Sequence, residues 1–146
     1  MIPAPLIDWA VWSNIDRYGD TELILLKGHL LLEVMLSEGL RTRLSLTEQQ
    51  IRKLSFREKL KALATVTKTD KGLTEALDFL GQLNRLRNRL AHEPFPKLET
   101  DLATWSDQVL CVFPKSKHQR YTPRTKITQA ISALARSVYE SASSEA

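Results

Sequence analysis

Cysteine is nearly absent from this chain. The single one, Cys111, has no partner for an internal disulfide, so no disulfide framework holds the fold and a reducing compartment is compatible with it. Long apolar runs are missing too: none approaches the roughly 18 residues that a membrane span needs. A basic N-terminal segment followed by an apolar stretch is also lacking, so the expectation is a cytoplasmic protein with no membrane partner. Paired cysteines at metal spacing, an HEXXH-type metal motif, a glycine-rich phosphate loop, a nucleophile elbow and internal repeats are all absent. Metal-site, phosphate-loop, serine-hydrolase and solenoid readings thus have no motif to stand on, and no cofactor is expected.

What remains is a chain of ordinary globular composition. Its 146 residues are 42% hydrophobic and 26% charged, enough for one domain with a real core. The net charge of +4 tilts it mildly toward anionic partners. The periodicity predicts an all-α, single-domain bundle of about five helices over 1–146, with an arm or short helix at 1–17 and a frayed tail at 142–146.

The distinctive segment is Asn84-Arg85-Leu86-Arg87-Asn88-Arg89-Leu90-Ala91-His92-Glu93-Pro94. Three arginines, two asparagines and a histidine fall within nine residues, at the end of a helix stopped by Pro94. Apolar residues recur at Leu73, Ala76, Phe79, Leu80, Leu83, Leu86 and Leu90, which marks the core face. At about 100° per residue, His92, Asn88 and Arg85 lie roughly opposite that face, and Arg87 sits at its edge, about 60° from the centre. The histidine therefore points away from the core. A solvated basic helix end complementing the helix dipole is the plain alternative to a site.

Arg87-Asn88-Arg89-Leu90-Ala91-His92 resembles the Arg-polar-x-x-x-His motif of the HEPN superfamily, the all-helical RNases of many toxin–antitoxin and phage-defence systems. As sequence the likeness spans these six residues. As architecture it extends over the central two thirds of the chain. It implies a HEPN-like fold and a metal-independent endoribonuclease, with Arg87, Asn88 and His92 catalytic. Arg85, Arg89 and Glu33 are supporting or RNA-binding residues in this reading, and Arg85 is the alternative catalytic arginine. Also implied are a homodimer whose two motif copies meet across a cleft, and an antitoxin, with a nucleotidyltransferase as one candidate. Many relatives extend the motif to His-x-Tyr, the tyrosine being the residue such an antitoxin modifies; here that position is Pro94, which puts this form of regulation in doubt. A catalytically silent HEPN-like module that binds RNA, a nucleotide or a protein partner is the second reading, and a purely structural adaptor the third.

The flanking segments are read in chain order. Trp9 and Trp12 suit packing or a dimer contact. A helix over roughly 21–39, capped by Asp20 or Thr21 and ending near Gly39, is apolar over more than half its circumference and carries His29 and Glu33 four residues apart. Either these two face water or Glu33 meets a cation, for which Arg87 is the first candidate. Ser45-Leu46-Thr47-Glu48 fits a capping box that opens a helical stretch through about 67, broken near Ser55. Leu54, Leu60, Leu63 and Ala64 form its apolar stripe, and Arg52, Lys53, Arg57, Lys59 and Lys61 make the rest basic; that face is solvated or leads a phosphate backbone toward the motif. Further helices are expected at about 98–113, with Leu102, Trp105, Val109 and Val112 on one stripe, and from Pro123 to about 141, with Ile127, Ile131, Leu134 and Val138 inward. Between them lies a cationic loop at 115–121 that includes His118, a weaker acid–base candidate.

Overall fold

The computed structural model describes residues 6, 7, 9, 11, 20–113 and 122–143, of which 141–143 are described by backbone alone. Trp12, the loop at 115–121 with His118, and residues 144–146 lie outside them. The expected all-α class holds: among the described residues there are helices and no strand, and no helix is long and apolar enough to cross a membrane. Residues 6, 7, 9 and 11 are helical, with Ile7 and Val11 buried and Trp9 67% exposed, so Trp9 does not pack into the core of this chain.

Six helices with defined bounds follow: α1 (Thr21–Leu44), α2 (Glu48–Arg52), α3 (Phe56–Ala64), α4 (Lys71–His92), α5 (Glu99–Val112) and α6 (Pro123–Ser143). The excess over five comes from the 48–64 stretch, which is two helices. Ser55 is extended (φ −70°, ψ 167°), and its hydroxyl accepts from the Glu58 N–H while the Glu58 carboxylate accepts from the Ser55 N–H. This reciprocal cap starts a new helix rather than continuing the old one.

Two expected boundaries move. Gly39 does not end α1; it is buried inside a helix that runs on to Leu44. The stop is Ser45, whose φ of 53° lies in the left-handed region. The capping box opening α2 is accordingly Thr47 with Gln50, two residues later than expected.

α1 and α6 make the most extensive helix pair. Every residue of α6 from Ile127 to Ala135 is buried, including Thr128, Gln129 and Ser132, so this helix is enclosed on nearly all sides. Its start is fixed as the sequence suggests: Thr122 and Thr125 exchange side-chain hydrogen bonds around Pro123 at the first helical position. The approach to α1 depends on Gly28, where an added Cβ would lie 2.3 Å from Ile131 Cδ1. α1 also packs on α3 and α4, leaving Leu23, Leu30 and Val34 as an exposed strip.

α4 crosses the core with Leu73, Ala76, Phe79, Leu80, Leu83 and Leu86 buried as expected, while Leu90 is half-buried. Its first turn is capped by Asp70, whose carboxylate accepts from the Leu73 N–H at 3.0 Å. α5 is tied to α4 by the Trp105 indole, whose Nε1–H donates to the Phe79 carbonyl at 3.0 Å. Val112, the last residue of α5, departs from its expected inward stripe and is 42% exposed. Ala64, the last residue of α3, likewise leaves its expected stripe and is exposed.

The Gly28 contact yields a stability prediction. Gly28→Ala gains about 1 kcal/mol of helix propensity but forces the Ile131 methyl to move in a close-packed site, which costs about 1–3 kcal/mol. Net destabilisation is expected in chemical denaturation. Adding Ile131→Val, which deletes the clashing Cδ1, should recover most of that loss in a double-mutant cycle; additive single effects would refute the steric account.

Candidate functional site

The face of α4 that carries the motif is built from three residues. Asn84, Arg87 and Asn88 stand at i, i+3 and i+4, so they project together, and they line one wall of a cleft of about 360 Å³. His29 and Glu33 of α1 form its floor, and Ser55, Phe56 and Arg57, at the start of α3, form the opposite wall.

The floor is organised by His29. Its ring is buried and stacks on Phe56, centroids 4.1 Å apart and planes 27° from parallel. Its Nε2–H donates to the Asn84 Oδ1 at 2.9 Å, with the tautomer and amide orientation assigned from this network. With that oxygen engaged, the Asn84 amide retains its N–H donors. Burial holds the His29 imidazole below its ordinary pKa; the Asn84 hydrogen bond opposes this, the nearby Arg87 guanidinium reinforces it and Glu33 opposes it more weakly.

Glu33 meets a cation, but not Arg87. Its Oε2 lies 3.1 Å from Lys59 Nζ, which also donates to the Ser37 hydroxyl at 3.2 Å. Lys59 is therefore no part of a solvated basic face: it is 6% exposed, with its aliphatic stem packed under α1 and its ammonium carried to the carboxylate. Arg87 is left with a weak 3.5 Å hydrogen bond to the Asn88 Oδ1. Among the described residues, no carboxylate is within ion-pair reach of Arg87 or Arg57. The cleft thus holds two guanidiniums without counter-ions, while its own carboxylate is neutralised from beneath.

The remaining motif residues lie elsewhere. Arg85 and Arg89 line a second cleft, of about 440 Å³, between α4 and α5. Arg89 is ion-paired there with Asp101 at 2.6 Å and with Glu93 at 3.4 Å. Its guanidinium pKa is raised, chiefly by the hydrogen bond that it donates to Asp101. Arg89 is thereby committed to holding α5 and the helix end in place. His92 is exposed at the last residue of α4 and lines neither cleft. It stands four residues beyond Asn88, so the row Asn84, Asn88, His92 runs along one ridge from the cleft to the helix end. Of the residues named from sequence, Arg87, Asn88 and Glu33 share a cleft, whereas Arg85, Arg89 and His92 do not reach it.

Sequence reasoning paired His29 only with Glu33, counted Asn84 in the motif segment without a role, and gave Arg57 no more than a share in a basic face that is solvated or leads a phosphate backbone toward the motif. A signal for Asn84 was present in its helical spacing to Arg87 and Asn88. Arg57 was marked only as one cation among five, and nothing in its local pattern separates it from its neighbours. Among the described residues no group of three His, Cys, Asp or Glu side chains could hold a metal ion.

The lowered pKa of His29 gives a pH dependence of definite sign. The unfolded imidazole takes up its proton near the ordinary value of 6.5, whereas the folded one resists until lower pH. The unfolded state therefore binds more protons in that window, and stability falls as pH drops below about 6.5. Comparing denaturation midpoints at neutral and mildly acidic pH should show this loss in the wild type and a flatter profile in His29→Gln. An equally steep profile in the variant would assign the dependence to other groups.

No protein-family model, curated protein or solved structure matches the chain.

Proposed function

We propose that this protein is a HEPN-like, metal-independent endoribonuclease, the toxin of a toxin–antitoxin or phage-defence system, acting on RNA at a composite site formed by two copies of the chain. The observation that carries the reading is the cleft in which Arg87 and Asn88 face outward beside Arg57, with His92 exposed farther along the same helix ridge. Guanidiniums without counter-ions suit the planar, bidentate recognition of a phosphate.

The proposed reaction follows from these groups. A neutral imidazole takes the proton of the 2′-hydroxyl; the 2′-oxygen attacks phosphorus; the bond from phosphorus to the 5′-oxygen breaks, and an acid protonates that oxygen. Arg87 stabilises the charge that accumulates on the non-bridging oxygens. The products are a 2′,3′-cyclic phosphate and a 5′-hydroxyl. His92 of one copy serves as the base and His92 of the second as the acid, which is consistent with an imidazole at an exposed helix end. Asn88 orients Arg87 through their shared hydrogen bond. The partners proposed are RNA, a second copy and an antitoxin.

One observation favours a second reading, a catalytically silent module that binds RNA, a nucleotide or a protein: His92 does not line the cleft that holds Arg87. Incubation of purified protein with RNA in excess EDTA separates the two. The RNase reading expects fragments ending in 2′,3′-cyclic phosphate, and a loss of about 10²–10⁴-fold in cleavage rate for His92→Ala with the unfolding midpoint unchanged. RNA that is bound but stays intact would establish the second reading instead, and cleavage indifferent to His92 would refute the role given to that residue.

A further inference from the structure

α3 presents two exposed cations, Arg57 and Lys61, one helical turn apart on the same side. Their backbones are separated by about 6 Å along the axis. Lys53, exposed just past the end of α2, precedes them in the chain. Lys59, from the same basic segment, is withdrawn beneath α1. The exposed charge is thereby sorted into a row instead of a diffuse face, and Arg57 is the member of that row that also lines the Arg87 cleft.

Two further features prepare the cleft for an anion. The Asn84 oxygen is occupied by His29, so the amide offers donors, and Glu33 is paired with Lys59, which offsets its charge. We infer that Arg57 and Arg87, on opposite walls of the cleft, seat one phosphate of a single-stranded RNA, and that Lys61 engages a neighbouring phosphate so that the strand enters the site over α3. This deepens the proposed function and rests on its choice of RNA as partner. A strand is favoured over a lone phosphate because a second exposed cation, Lys61, continues beyond the cleft one helical turn from Arg57, and over an acidic protein because the residues at the cleft are guanidiniums and amide donors with no apolar anchor other than the Phe56 ring, which is already stacked on His29.

The test uses binding and not cleavage. A fluorescent, fully 2′-O-methylated oligonucleotide of about 10 residues, which cannot supply the attacking hydroxyl, is titrated against the full chain at several salt concentrations. Each phosphate contact in a single strand contributes about 0.7 to the slope of log affinity against log salt. Arg57→Ala and Lys61→Ala should therefore each lower the slope by about 0.7 and weaken binding about five-fold at 0.1 M salt. Lys71→Ala, at the opposite end of α4, should behave as wild type. All three residues are exposed, and matched unfolding midpoints confirm that the variants fold.

Unchanged slopes for Arg57→Ala and Lys61→Ala, a slope equally sensitive to Lys71→Ala, or no binding by the wild type would overturn the inference. So would a polyglutamate peptide that binds more tightly than the oligonucleotide and depends on Arg57. The proposed function fails separately: if Arg57 carries its share of the slope but unmodified RNA is never cut, the RNA track stands and the nuclease falls. If RNA is cut while Arg57→Ala binds as wild type, the nuclease stands and the track falls.

Discussion

The imidazole of His29 is where three helices meet. It belongs to α1, stacks on Phe56 at the start of α3 and donates to Asn84 of α4. A buried polar group of this kind is tolerated because its hydrogen bond is made, and the cost of leaving the donor unmade fixes the partner. The consequence reaches past stability. Phe56 and Asn84 are the neighbours of Arg57 and Arg87, so the contact that closes the floor also sets the distance between the walls. A chain that kept every helix but lost this contact would have the same cations without a defined gap between them.

Charge at the cleft follows from two sets of ion pairs, one largely buried and one exposed. Lys59 pairs with Glu33 under α1, and Arg89 pairs with Asp101 and Glu93 across the far side of α4. These ion pairs do opposite things for the surface. The first removes a carboxylate from the reach of Arg87; the second removes a guanidinium from the pool able to meet an anion. Three arginines at alternate positions on one helix therefore have three fates: Arg85 is exposed beside the α5 cleft, Arg87 is at an open polar cleft and Arg89 is consumed structurally. Exposed pairs such as Arg89 with Asp101 contribute little to stability singly, but this one positions the segment that follows His92.

Much of this arrangement was legible in the sequence where a residue's neighbours along the chain decide the outcome. The core face of α4, the outward direction of Asn88 and His92, the break at Ser55 and the start of α6 at Pro123 all follow from helical spacing and local capping. What was not legible depends on contacts between segments distant in sequence. Ser45 and Thr47 are both acceptable caps, and only the continuation of α1 through Gly39 to Leu44 decides between them. Glu33 required a cation, yet the choice of Lys59 over Arg87 turns on α3 lying across α1, a packing that no local pattern encodes. For the same reason Lys59 could not be distinguished from Arg57 and Lys61 as a member of a basic face.

The separation of His92 from the cleft bears on how the proposed chemistry would be assembled. A phosphate held by Arg57 and Arg87 lies against the side of α4, whereas His92 projects from its end, beyond Asn88 along the ridge. Because Arg87 is assigned to the scissile phosphate, an imidazole has to be brought to the cleft, and the second copy proposed for the composite site is what can bring it. Proton transfer also needs a second group on the far side of the scissile bond, which a lone exposed imidazole does not supply. Contribution of that group by a second copy, facing the first across the helix end, meets the requirement, and the 91% exposure of Phe95 just beyond His92 leaves an apolar side chain at the same edge for such a partner to cover.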